Sequence, residues 1–505
     1  MAKEYMLARG FDLNAMLREA QFGASGTTAA SGNTKKGGIS DKTISPGKPK
    51  QKRLVDHFLN VSLPCTESGT SWDVQVKDGR IANVQAHDAD EKALTMTNPM
   101  LKAVDGCGAL LAPSLCHPHI HLDKAYLLSY PKFAHLQIEK GTFEEAMSLT
   151  NEAKANFEHD DLLERGHRVV DTSRKYGVTA MRAFVEVDPI VGMKCLTAGR
   201  EIKEANEKHD LCDVQLCAFA QLALFSGEDG GDEIRRLMRE ACEDQWKAGA
   251  VGSTPYVEAD LEKMKRNVEW MIELALEMDK HLDFHLDYNL DPETEPLVWY
   301  VVKALKEKRW KERTGKTVVL GHCTRLTLFN DDEWRRLKEE VGDLPISFVG
   351  LPTSDLYMMK TENGARGTLP VPKMIKEYGL NAAIGINNIG NAFTPQGSVD
   401  PLSTVSMGVG VYQAGTKKDA EILYECVSTR AKTAIGLLEG RNQGSEESFS
   451  LEVKQGQKAD LVHIAHGEAW HTRKRISEAV YLYDGGADRQ SHKSGGHTVE
   501  RVESP

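Results

Sequence analysis

Short apolar blocks alternate with amphipathic stretches through the centre of the chain. The blocks occupy 109–115, 178–187, 214–224, 248–256, 282–288, 317–323, 345–352 and 380–386. Each is short, as strands are, and turn residues bound most of them. Between them, FEEAMSLTNEAKANF, GDEIRRLMREACEDQW, DLEKMKRNVEWMIELALEM and PLVWYVVKALKEKRW repeat apolar residues three and four apart, the spacing of a helix face. Strand–helix alternation predicts a parallel sheet covered by helices. Eight such units over about 280 residues match the size of a (β/α)8 barrel, whose active sites sit at the C-terminal ends of the strands.

The flanks differ. LVDHFLNVSL and WDVQVKDGRIANVQAH alternate apolar and polar positions, the second around an Asp-Gly pair that marks a hairpin. FSLEVKQGQKADLVHIA (449–465) and SEAVYLYDG nearer the C-terminus share that texture. The predicted fold class is therefore α/β. A (β/α)8 barrel covers 113–439, and a small β-sandwich domain is assembled from 54–112 and 440–484. Residues 1–53 are expected to form a flexible segment, because 23–53 is dense in Gly, Ser, Thr and Lys. The basic cluster near Lys48–Arg53 reads as a solvated linker before it reads as a patch for an acidic surface. Residues 485–505 are expected as a mobile tail.

Composition narrows the function classes. The 505 residues are 40% hydrophobic and 27% charged, which excludes a collagen-like or wholly disordered chain. The net charge of −11, with no basic patch in the central region, argues against nucleic acid and for a small-molecule substrate. The nine cysteines are an odd number with no CxxC pair, which points to reduced thiols and a cytoplasmic compartment. The N-terminal MAKEYMLARGFDLNAML lacks a signal-peptide core, and no run of about 18 apolar residues occurs, so no membrane association is expected. Homo-oligomerisation is left open.

Reactive residues fall at the predicted strand ends. The first block leads into Pro118-His119-Ile120-His121-Leu122-Asp123. Residues two apart on a strand share a face, so His119 and His121 aim together into the barrel mouth, with His117 in phase further down. The fifth block ends in Phe284-His285-Leu286-Asp287 and the sixth in Gly321-His322-Cys323. A single strand-end histidine is more often a hydrogen-bonded core residue than a ligand. Four imidazoles gathered at the ends of strands one, five and six offer nitrogens to one divalent metal ion, zinc or iron.

PHIHLDK, HLD, GHCT and the Gly385-Ile386-Asn387 end of strand eight resemble the amidohydrolase superfamily, in particular its cytosine deaminase-like branch. The resemblance covers about residues 73–465 and extends to AMRAFVEVD, CAFAQ, AGAVGSTPYVEAD and ARGTLPVPKMIKEYGLNAAIG. It implies a distorted (β/α)8 barrel with a small β-sandwich from both chain ends. It also implies metal-dependent hydrolysis of a C–N bond, by deamination or ring amide hydrolysis, in a small cyclic nitrogen compound. His119, His121 and His285 match the metal ligands. His322 matches the histidine that assists the tetrahedral intermediate. Gln221 matches the residue that hydrogen-bonds the substrate ring, with Phe219 lining the same pocket, Phe393 covering the ring and Asn388 beside it.

Two positions depart from the family pattern. Tyr288 stands where the family has its catalytic Glu, and Asn387 where it has an Asp that binds metal and accepts a proton. An Asn oxygen binds metal weakly and is no base near neutral pH. General acid–base help is commonly worth about 10²–10⁴ in rate. Asp287 shares the face of His285 and is the first substitute base, or else an orienter of His285; Asp123 is the second. His322 can shuttle the proton itself, and Tyr288 either donates to an oxyanion or packs on the ring. The expected catalytic set is thus His322, Asp287, Tyr288 and Asn387, and the metal set is His119, His121, His285 and Asn387. The alternatives are a non-hydrolytic lyase or cyclase on the same fold, or a pseudoenzyme. Lys124 reads as an anion binder or a surface salt bridge; Glu186 and Asp188 end strand two and could reach the site, though Asp188-Pro189 reads first as the opening of the following loop; Cys116 and Cys323 read as packing residues. Strand four has no Lys at Gly252-Ser253-Thr254, which disfavours a bridged two-metal site.

Overall fold

A computed structural model of the chain describes residues 53–361, 363–364, 366–438, 449–464, 472–485 and 489–497. The expected flexible segment lies outside these residues apart from its last position.

Six strands precede the barrel: β1 (Arg53–Leu54), β2 (His57–Val61), β3 (Trp72–Lys77), β4 (Arg80–Ala86), β5 (Ala103–Asp105) and β6 (Leu110–Pro113). The barrel strands are β7 (Leu115–His121), β8 (Val178–Glu186), β9 (Asp213–Ala220), β10 (Ala248–Ser253), β11 (His281–Leu286), β12 (Val318–His322), β13 (Ile346–Gly350) and β14 (Ala382–Ile384). Among the described residues three follow: β15 (Leu461–Ile464), β16 (Arg489–Lys493) and β17 (Gly496–His497).

β7 to β14 form one eight-stranded parallel sheet in sequence order, with helices between successive strands. It curls until its edges meet. Ile120 pairs with Asn387; the Asn387 N–H donates to His119 O at 3.0 Å, and the His121 N–H donates to Asn387 O at 2.8 Å. The flanks build a four-stranded sheet, β4-β3-β2-β5, and a five-stranded sheet, β1-β17-β16-β15-β6. The two share a core of Phe58, Val61, Val74, Val76, Ile81, Leu111 and Leu461. The fold is a distorted (β/α)8 barrel with a small sheet domain. The predicted hairpin is β3–β4, and both Asp78 and Gly79 have the positive φ that its two-residue turn requires.

Four expectations change. The block 109–115 is divided, because Leu110–Pro113 pairs with β15 in the flanking sheet and the barrel strand begins at Leu115. SEAVYLYDG is not a strand: Ile476–Tyr481 is helical, burying Ile476, Ala479 and Val480 on one face while Glu478 accepts the N–H groups of Lys474 and Arg475. Within 449–465 only Leu461–Ile464 is a strand, although Phe449, Leu451 and Val453 are buried. The expected mobile tail contains β16 and β17. Arg489 binds both carboxylate oxygens of Asp400, at 2.7 and 2.5 Å, and Lys493 binds Asp213 at 2.7 Å, so this stretch has buried charges to fix it. All nine cysteines are free thiols, and among the described residues no helix is long and apolar enough to cross a membrane.

Candidate active site

β7, β11 and β12 deliver four histidines to one end of the barrel. His119 and His121 come from β7, His285 from β11 and His322 from the end of β12, and all are buried. The Nε2 atoms of His119 and His121 lie 3.1 and 3.2 Å from Nε2 of His285. His119, His285 and His322 each also place a ring nitrogen within 4.8 Å of the other two. Two glycines leave room for this convergence. A Cβ on Gly321 would come within 3.2 Å of His119 Cε1, and one on Gly385 within 3.1 Å of His119 Cβ. Below the rings, Phe184 and Phe219 fill the barrel, their centroids 4.1 Å from His119 and 4.3 Å from His285 respectively.

Burial, and after it the neighbouring rings and Lys124, holds His119, His121 and His285 far below the usual histidine range, so all three are neutral. Neutral imidazoles that meet through Nε2 cannot all satisfy one another, since each nitrogen either carries a proton or a lone pair. A cation accepts all the lone pairs at once. The Asn387 amide is a hydrogen-bond neighbour of His119, and its Oδ1 is buried. This donor set, imidazole nitrogens with an amide oxygen available, fits a zinc or iron ion.

His117 does not share their face. The β7–β8 register shifts between His117 and Ile120, which breaks the two-residue phase, and His117 Nε2 instead meets Ser173 Oγ at 3.0 Å on the helix His159–Lys175. Asp287 also departs from expectation. Its φ of 48° takes it out of the strand phase, and its carboxylate accepts the N–H groups of Leu297 and Val298 at 2.7 and 3.0 Å. Burial pushes this carboxyl up to about 6 against the pull of those two N–H groups. It fastens the next helix and does not line the cavity. Phe219 likewise sits beneath the histidines and not on the cavity wall.

A cavity opens above the rings, with about 310 Å³ of empty space when its solvent-open part is included. Gln221, Tyr288, Asn387, Asn388 and Phe393 line it, together with Lys124, Phe143 and Tyr256. Tyr288 lies over His322 with centroids 4.0 Å apart, and burial, with Asp355 next, pushes its phenol well up, so it stays protonated. Gln221 Oε1 accepts Lys124 Nζ at 3.3 Å, and the Gln221 side chain also hydrogen-bonds Tyr256.

One group was not legible beforehand, and another stands where it was not expected. Asp355, on the helix Pro352–Met358 after β13, accepts His322 Nδ1 at 2.7 Å, Thr368 Oγ1 at 2.7 Å and the Leu351 N–H at 3.1 Å. Its carboxylate fixes the proton of His322 on Nδ1 and leaves Nε2 as an acceptor. Its signal was its place in the loop after strand seven, which ordinarily shapes such sites. Lys124 is not on the surface. It is buried, with Nζ 2.6 Å from Glu186 Oε1, while Glu186 Oε2 and Asp188 both bind Lys154. Burial alone would raise Glu186, but Lys124 and Lys154 bring it down to about 2.

No family model matches the chain. It is 22% identical over 401 residues to N-isopropylammelide isopropyl amidohydrolase of Pseudomonas sp. (strain ADP), covering 79% of this chain and 88% of that protein. The crystal structure of 5-methylcytosine deaminase from Klebsiella pneumoniae liganded with 5-fluorocytosine superposes with a TM-score of 0.72 at 21% identity, covering 89% of this chain and 98% of that one. The chain has the fold of the cytosine deaminase-like amidohydrolases. N-isopropylammelide isopropylaminohydrolase from Burkholderia multivorans shares this amidohydrolase fold, with a TM-score of 0.66 at 19% identity over 87% of this chain and 97% of that structure.

Proposed function

We propose that the chain is a metal-dependent hydrolase that breaks a non-peptide C–N bond in a small cyclic nitrogen compound. The observation that carries this reading is the convergence of His119, His121 and His285 through Nε2 at the C-terminal end of an amidohydrolase-type barrel. The names of the similar proteins, deaminases and an amidohydrolase of nitrogen rings, support it.

In this reading one divalent ion, zinc or iron, is held by His119, His121 and His285, with Asn387 Oδ1 as a weaker fourth donor. When bound, the ion polarises the substrate and acidifies water. The chain's own residues do the rest. His322, oriented by Asp355, accepts a proton at Nε2, the task for which Asn387 has no basic atom. The Tyr288 hydroxyl, kept protonated by burial, donates to oxygen that gains charge. Phe393 and Phe143 hold the ring, while Gln221 and Asn388 orient its polar edge. Residues 113–439 supply this machinery, and 54–112 with the C-terminal strands brace it.

A second reading is favoured by one observation: no carboxylate lines the cavity among the described residues. A lyase or cyclase on the same scaffold has no need of one. Turnover in H₂¹⁸O separates the two, since label in the product requires hydrolysis and its absence from a converted substrate requires the other chemistry. Elemental analysis after purification with zinc or iron tests both. Less than about 0.1 metal per chain would leave a pseudoenzyme.

A further inference from the structure

We propose that the cavity selects a ring that is anionic near neutral pH, an oxo-substituted nitrogen heterocycle carrying its charge on oxygen. This deepens the hydrolase reading and rests on it for the place where substrate sits. The argument is one of charge and of donors.

The groups placed to hold a cation are neutral imidazoles and an amide, so no ligating group offsets the charge of a divalent ion held there. Among the described residues no carboxylate lines the cavity, although Asp123 keeps one buried oxygen, Oδ1, without a hydrogen bond. Asp123 Oδ2 accepts the Glu186 N–H at 2.7 Å, Asp287 accepts two N–H groups of the following helix, and Asp355 faces away behind His322. Glu186 divides its two oxygens between Lys124 and Lys154, so it does not belong to Lys124 alone. Lys124 has three N–H groups. One goes to Glu186 and one to Gln221, and the ammonium lines the cavity. It is 2% exposed, and a charge so screened from water acts strongly on a neighbour.

The amides are turned the same way. Asn388 Oδ1 accepts Asn391 Nδ2 at 2.9 Å, which leaves the Asn388 NH₂ as the free end. Gln221 Oε1 is taken by Lys124. A ring that presents amino groups or positive charge would set donors against donors. A ring that presents anionic oxygen meets Lys124, Asn388 and the Tyr288 hydroxyl with acceptors.

The test is calorimetric binding of three six-membered rings to the full-length, zinc-supplemented protein at neutral pH: barbiturate, which is anionic, and uracil and cytosine, which are neutral. Barbiturate is expected to bind at least about tenfold more tightly than either, a factor of ten being one charge-assisted contact. Lys124→Gln is expected to remove most of that preference, with a clearly larger loss for barbiturate than for uracil. Uracil or cytosine binding as tightly as barbiturate overturns the proposal, and so does failure of barbiturate to bind. An equal loss for all three rings in Lys124→Gln overturns it too. If that variant does not fold, the wild-type ranking decides alone. Absence of turnover bears on the hydrolase reading and leaves the ranking intact.

Discussion

The two sides of the cavity floor treat their polar atoms in opposite ways. On the side of β7, β11 and β12, the Nε2 atoms of His119 and His121 both crowd that of His285, which cannot satisfy the two together. On the side of β8, Lys124, Glu186, Lys154 and Asp188 alternate in sign, and each charge touches its opposite. Buried polar groups left without partners cost free energy unless something arrives to satisfy them. The first side is therefore arranged for a ligand and the second for itself. Lys124 is the residue that belongs to both.

The sharpest way to break this comparison is to remove the shared nitrogen. His285→Ala should abolish stoichiometric metal binding and lower activity on the order of a thousandfold or more. The fold should survive, because the lost ring satisfies no backbone group. Elemental analysis beside a melting curve checks both halves. A variant that keeps its metal would remove His285 from the ligand set.

The opposite pattern is expected across the floor. Lys154→Met leaves Glu186 and Asp188 buried without their common cation, which should cost about 3–5 kcal/mol of stability. Urea unfolding measures this. Loss below about 1 kcal/mol would mean that the charges of this cluster do not depend on one another.

Between these lies Asp355. Its removal frees the His322 ring without emptying the cavity, so Asp355→Ala should lower kcat by about 10–100-fold with KM little changed. Asp355→Asn, which still offers an oxygen to Nδ1, should recover part of the loss. An equal effect on KM would point to a collapsed pocket instead.

The smallest effect is one of pH. Glu186 ordinarily titrates near 4.5 and is lowered to about 2 in the fold. A lowered carboxyl stabilises the fold above its unfolded value, and that contribution disappears as pH falls from about 4.5 towards 2. Glu186→Gln should therefore flatten the melting-temperature profile in that window by a few degrees, about the size of one such group. An unchanged slope would show that the lysines do not act on Glu186 in the way the contacts indicate.

Much of the barrel was legible because parallel strands buried on both faces are written as continuous apolar runs, which stand out between helical stretches. The histidines were legible because alternation along β7 brings His119 and His121 to one face. The same rule misplaced His117 and Asp287, each beside an interruption of the strand: a register shift in the first case and a left-handed residue in the second. Neither interruption leaves a mark in residue type. Burial of Lys124 was hidden for another reason. Its partners Glu186 and Gln221 lie 62 and 97 positions away, so the cluster exists only once β7, β8 and the end of β9 are assembled. The strands near the C-terminus read as a tail because RQSHK has almost no apolar content. What fixes Arg489 is a carboxylate at Asp400, far along the chain.

Asn387 is at once the clasp of the barrel and part of the cavity wall, and it does both at a φ of 67°. Asn and Asp tolerate that backbone far better than other residues with side chains, whereas a β-branched residue there would loosen the clasp. The choice at this point is thus confined to an amide or a carboxylate, two groups of nearly equal shape. Exchanging them would change the charge of the reactive centre by a full unit without moving a stave.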